Sequence, residues 1–220
     1  MDYRIVRSKR KRLAIYVKAD GSVEVRAPLK YPESEIRRFV EEKADWIEAH
    51  SQAAKARQKQ REAFTLAIGD TLRLMDGRYP LVSGKKACFD GHCFFVRLEE
   101  EIKPQVVALY RQAAREIIGE KVAHWEPRVG ASAAGIKING ARTRWGSCSG
   151  KNSLNFSWRL MMAPEAAVDY VVVHELCHIL ERNHSQNFWA QVARVMPDYR
   201  LRQQQLKALA LQLSREDWEV

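Results

Sequence analysis

The run His174-Glu175-Leu176-Cys177-His178, with His184 six residues further on, constrains this chain more than any other stretch. Zinc binds imidazole nitrogens at ~2.0–2.1 Å, which sets two of them roughly 3.3 Å apart in a tetrahedron. On an α-helix, residues i and i+4 share a face with Cα atoms about 6 Å apart, so both rings can converge on one ion. On a strand, four steps of ~3.3 Å would hold the same residues about 13 Å apart. The spacing therefore predicts a helix through 174–178. Val171-Val172-Val173 argues the other way, because a β-branched run favours a strand. Burial resolves the conflict, since a helix threaded through a core is apolar nearly all round.

Glu175 lies one residue past the first candidate ligand, about 100° round the helix. From there it reaches a water on the metal's open position rather than the metal itself. Zinc lowers the pKa of such a water toward ~7, and a neighbouring carboxylate can take its proton as it attacks. His174, His178 and His184 are the expected ligands. Three protein ligands plus solvent is the arrangement of a catalytic site, whereas structural zinc is closed by four. To bring His184 back, the chain must turn after the helix. Asn183 tolerates the left-handed conformation, and Ser185 can cap a new helix that Phe188 and Trp189 pack. The competing reading is a helix that carries two histidines by coincidence.

Around this motif the chain reads as α+β. Strand-like runs at 3–6, 13–17 and 23–26, with turn residues at 19–22, form an opening hairpin. A helix is expected over about 33–62, with Ile36, Phe39, Val40, Trp46 and Ile47 on one face and a polar, solvated second half. Strands and Gly-containing turns follow over 64–99, where Cys88 and Cys93 flank a turn bearing an exposed His92. Pro104 opens a long helix to about Val129 with Val107, Tyr110, Ala114, Ile117, Ile118 and Val122 buried, and His124 takes a core or capping role. Residues 135–139 and 154–161 read as strands around the loop 144–150, and Pro164 suits the first turn of the metal helix. The division expected is a β-rich N-terminal region, 1–100, and a metal-binding region, 101–220, which together can form one continuous domain.

Composition narrows the class. Hydrophobic residues make up 46% and charged residues 29%, as in ordinary folded proteins. No stretch approaches the ~20 apolar residues of a membrane helix, and the N-terminus does not read as a secretory signal. Four cysteines in 220 residues point to reduced thiols and a cytoplasmic setting. The net charge is +10. Residues 1–62 hold 16 basic and 10 acidic side chains, an excess that would steer nucleic acid or another polyanion.

Beyond the motif itself, HELCH, NHSQNFW, RWGSCS, LNFSWRL and DYVVVHEL resemble the YgjP-like metallopeptidase family, which is related to the SprT-like and WLM-type zincins. The opening hairpin and the helix bearing Trp46-Ile47 extend the resemblance over most of the chain. It implies a zincin-like catalytic half in which His174, His178 and His184 hold zinc and Glu175 is the catalytic carboxylate. The histidine spacing also matches metzincins, but Glu181 stands where they place glycine, and no Met-turn is evident.

Arg144, Trp145 and Asn155 are candidate substrate-binding residues. The segment 153–160 would align an extended peptide by strand addition, with Arg142, Arg144 and Lys151 available to negative charge. Tyr170 is read as a core tyrosine that can orient a ligand, Cys177 as a buried apolar side chain, and Cys148 as a thiol without an assigned role. The function expected is zinc-dependent hydrolysis of a peptide or protein. Family members have also been described as pyrophosphohydrolases of nucleoside triphosphates, UTP in particular, which gives a first alternative. Against it, the dense acidic run Glu99-Glu100-Glu101 lacks ligand-like spacing. A second alternative is a non-catalytic, zinc-stabilised polyanion-binding protein, which would need a fourth protein ligand.

Overall fold

The computed structural model describes residues 2–220. Contacts divide the chain into two compact units, 1–64 with 213–217, and 65–212 with 218–220. The boundary near residue 64 falls earlier than the expected one near 100. The physical reason is that the strands between 71 and 96 share their core with helices of the second unit, as set out below.

In the first unit, β3 (Val23–Pro28) is the middle strand of three. β2 (Ala14–Val17) pairs with it antiparallel and β1 (Arg4–Ser8) parallel. The β2–β3 turn is the one read from the sequence. Gly21 sits at φ +80°, and the Asp20 carboxylate accepts the Ser22 amide at 2.8 Å. Val23, Val25 and Ala27 pack with Ile36, Val40 and Ile47 to make the core of this unit. The single expected helix is two, α1 (Glu33–Glu42) and α2 (Ala44–Glu62), separated at Lys43, whose φ of −111° and ψ of 12° leave the helical region. In the polar second half of α2 only Ser51 and Ala54 are buried.

The second unit opens with a four-stranded sheet in the order β4 (Thr71–Leu74), β5 (Gly77–Ser83), β7 (Phe94–Val96), β6 (Cys88–Phe89). Cys88 of β6 lies opposite Phe95 in the register and Cys93 falls just before β7, so the two cysteines are not cross-strand partners. His92 is exposed in the turn. The long helix α3 (Ile102–Val129) buries Val107, Tyr110, Ala114, Ile118 and Val122, while Ile117 is half-buried and His124 is exposed. Phe94 of β7 meets Tyr110 at 5.6 Å between ring centroids, and Tyr110 stacks on Trp158 at 5.7 Å. The Tyr110 hydroxyl donates to the Arg73 carbonyl at 2.6 Å, which ties β4 to the same helix.

β8 (Gly135–Asn139), β9 (Gly146–Cys148) and β10 (Ser153–Ser157) form the third sheet, with β10 in the middle. The strand expected over 154–161 ends at Ser157, and Trp158–Met162 winds into a 3-10 helix whose five residues are all buried. Next comes α4 (Glu165–Leu180), with Pro164 at its cap position, one residue before the first turn in which it was expected. Val171, Val172 and Val173 are helical and at most 4% exposed, so burial has overridden β propensity. Lys121 and Trp125 of α3 both donate to Asp169, at 2.9 and 2.8 Å, fixing the rotation of α4. Helices α5 (Gln186–Val195) and α6 (Tyr199–Leu213) complete this α+β unit. No described helix is long and apolar enough to cross a membrane.

Candidate metal centre

Helical spacing puts His174 and His178 one turn apart on the same face of α4. The chain leaves the helix at Glu181, which is extended at φ −132° and ψ 110°. Asn183 does not take the expected left-handed conformation, because the extended Glu181 already redirects the chain; Met75 and Asn152 are the non-glycine residues at positive φ. Ser185 then caps α5 as expected, its hydroxyl accepting the Phe188 amide at 3.2 Å. The turn so formed carries His184 back over α4.

The three rings converge through Nε2. His184 Nε2 lies 3.1 Å from that of His174 and 3.2 Å from that of His178. These spacings are close to the roughly 3.3 Å that a tetrahedral zinc imposes on two nitrogens. His178 Nδ1 is 3.0 Å from the Glu181 carbonyl and must donate to it, which leaves the Nε2 lone pair free for a cation. His174 Nδ1 lies 3.2 Å from the Tyr170 hydroxyl, which in turn accepts Gln203 Nε2 at 3.0 Å. Phe188 stacks on His178 at 4.4 Å and Trp189 on His184 at 5.6 Å, so α5 walls the group with aromatic surface.

Burial governs the charges here. His174 is held well below the ordinary imidazole range, down to about 3, first by burial and then by the neighbouring His178 and His184. Burial also lowers His178, opposed by its bond to the Glu181 carbonyl. Both rings are thus kept neutral, the form that ligates metal. Burial pushes the Glu175 carboxyl up to about 8, with the Arg144 charge opposing. Glu175 is 5% exposed, and its Oε2 is buried without a hydrogen-bond partner. An orphaned carboxylate oxygen beside three convergent imidazole nitrogens fits a divalent cation with its solvent. Among the described residues these histidines are the one cluster with metal-ligand geometry, and no acidic side chain joins them. Of the acidic run 99–101, Glu100 pairs with Arg97.

The expected substrate residues separate. Trp145 lines a cavity together with His174 and Glu175. Arg144 is exposed and acts on Glu175 through its charge. Asn155 is not part of that cavity, and on β10 it is registered between Lys137 and Ser147. The reading of 153–160 as the substrate-aligning edge is therefore corrected. β10 is paired on both sides, by β8 and β9, so its backbone groups are already spent in the sheet. The strand with a free edge on the metal-helix side is β9, which packs against α4. Arg142 is turned to Glu219 at 3.4 Å, and Lys151 is exposed. Cys177 is buried, and the Cys148 thiol receives Arg182 Nη1 at 3.4 Å.

Three further residues matter. A Cβ on Gly146 would lie 2.6 Å from Glu175 Oε1, so the absence of a side chain there makes the slot for the carboxylate. Arg182 joins the turn that carries His184 to the β9–β10 loop, donating to the Ser149 carbonyl at 2.8 Å and to the Asn152 side chain. Gln203 backs Tyr170. Gly146 was visible within Trp145-Gly146, but Arg182 and Gln203 carry no signal of their own in the sequence.

The YgjP-like metallopeptidase domain model matches residues 11–209. No curated protein matches the chain. Among solved structures, the metallopeptidase zymogen of Pyrococcus abyssi abylysin is similar at 20% identity and a TM-score of 0.39, over 46% of this chain and 98% of that one. The jannalysin zymogen of Methanocaldococcus jannaschii gives 17% and 0.35, over 44% and 92%. With the family model spanning nearly the whole sequence, the chain belongs to the YgjP-like metallopeptidase family and is a metallopeptidase-like hydrolase.

Proposed function

We propose that His174, His178 and His184 hold a zinc ion and that Glu175 is the general base for hydrolysis of a peptide bond. The observation that carries this reading is the convergence of three Nε2 atoms beside the unpartnered Glu175 Oε2. Nitrogen-only donors in a tetrahedral spacing suit zinc better than the oxygen-seeking magnesium or calcium. When bound, the ion would supply Lewis acidity toward water and toward the scissile carbonyl.

The chain's own residues do the rest. Glu175 takes the proton of the attacking water and returns it to the leaving amine. Its buried position keeps the carboxylate unsolvated and basic. The free edge of β9 aligns an extended peptide by backbone hydrogen bonds, with Gly146 allowing close approach to Glu175. Arg144 lies where it favours the ionised form of that carboxylate. Glu175→Gln should retain zinc and lose hydrolysis of a peptide library by roughly 10²–10⁴-fold, the usual contribution of a general base. Full activity in that variant, with the metal present, would remove Glu175 from the chemistry.

A further inference from the structure

Beside the imidazole group lies a cavity of about 410 Å³, lined by Trp145, Tyr170, Val171, Leu206 and Ala210, with His174 and Glu175 at one side and Gln203 and Lys207 on α6. We propose that this cavity receives one aromatic or large aliphatic side chain of the peptide substrate, next to the bond that is cut. The inference deepens the peptidase reading above and rests on it.

Three observations point to that ligand. The first is continuity, since the cavity shares His174 and Glu175 with the reacting site and Gly146 with the β9 edge. A peptide lying along β9 would pass the mouth of this cavity. The second is chemistry. Tyr170, Val171 and Leu206 are buried and present apolar surface. Trp145 is half-buried and, among the described residues, has no aromatic neighbour, whereas Trp125, Trp158, Trp189 and Trp218 each pack on another ring. An indole without a ring partner, lining a cavity beside apolar walls, is complemented by a ring or a branched aliphatic group. The third is size. At about 410 Å³ the cavity is near the lower end of the ~300–1,000 Å³ common for ligand clefts, room for a side chain rather than a cofactor.

Helix α6 forms the wall that sets depth. Gln203, Leu206, Lys207 and Ala210 follow i, i+3, i+4, i+7 and so share one helical face. The Gln203–Tyr170 hydrogen bond fastens that face to α4. Ala210 is exposed to solvent, so a larger side chain there fills the cavity without disturbing the core.

The test separates binding from chemistry. N-acetyl-phenylalanine amide and N-acetyl-alanine amide are titrated into the full chain, and side-chain shifts are followed by NMR. The phenylalanine probe should shift the Trp145 indole saturably, and the alanine probe should bind at least roughly tenfold more weakly, the scale of discrimination in an apolar pocket. Ala210→Trp should abolish the difference, and Ala210→Leu, a good helix former, should give an intermediate effect. In a peptide library, cleavage should favour aromatic residues at one position adjoining the cut. Ala210→Trp should erase that preference while substrates with alanine there are still cut. Equal affinity for the two probes, or binding indifferent to Ala210→Trp, overturns the assignment of the cavity. Selective binding of the phenylalanine probe with no peptide cleaved by the zinc-loaded chain upholds the ligand class and instead contradicts the peptidase reading.

Discussion

A methyl group at position 146 would collide with Glu175, its Cβ lying 2.6 Å from Oε1 and 2.7 Å from Cγ. With the carboxylate only 5% exposed, there is little room for it to retreat. Gly146→Ala should therefore move the proposed base by a fraction of an ångström and cut peptide hydrolysis on the order of 10²-fold, with metal content unchanged. Activity within twofold of wild type would show that the position of Glu175 does not matter to the reaction. The titrating groups yield a second expectation, for the metal-free chain. His174 has a folded value near 3 against an ordinary 6.5, so the stability it contributes is complete above 6.5 and is lost as pH falls toward 3. Glu175 has a folded value near 8 against 4.5, so its contribution is complete below 4.5 and is lost as pH rises toward 8. The two slopes cancel between 4.5 and 6.5. His178 is lowered as well, so melting temperature measured with chelator should rise across that interval, peak near pH 6.5 and fall above it, and a steady rise to pH 8 would contradict the burial of Glu175. At this scale the sequence already spoke for His174, Glu175, His178 and His184, because ligand spacing on a helix is a local property. Arg182 and Gln203 were silent, because each acts on residues far from it in the chain.

The element that deserves a test of its own is the short turn from Glu181 to His184. It orients His178 through the Glu181 carbonyl and delivers His184, and Arg182 anchors it to the β9–β10 loop. Arg182→Ala should weaken zinc binding roughly tenfold in competition with a chromophoric chelator, within the 10–100-fold cost typical of losing outer support to a metal site. Arg182→Lys should recover only part, since a single ammonium cannot span both Ser149 and Asn152. Unchanged affinity in Arg182→Ala would mean that the turn holds itself. Elements were legible where period and punctuation agreed, as in the β2–β3 hairpin and α3. They were misread where a tertiary contact decided. Residues 158–162 carry apolar side chains that suit a strand as well as a 3-10 helix, and burial of all five selects the latter. The break at Lys43 has no glycine or proline to announce it. Which strand lies at a sheet edge depends on pairing between β8, β9 and β10, so the peptide-aligning role could not be assigned from periodicity.

For the whole molecule, the family model runs through both compact units, while the imidazole group and its supports lie within the second. The basic excess of the first unit is partly used internally. Arg7 donates to the Tyr31 carbonyl at 2.7 Å, and Lys18 and Arg26 both pair with Glu24. Surface charge alone therefore does not require a polyanion as partner. What the molecule as a whole must do, if the proposed chemistry holds, is bind one ion in one place. Anomalous diffraction at the zinc edge from crystals of the full chain grown with zinc tests this most directly. The account expects a single strong peak per chain, about 2.0–2.1 Å from Nε2 of His174, His178 and His184, with solvent as the remaining ligand. A peak elsewhere, no peak, or a fourth protein side chain closing the coordination sphere would contradict it.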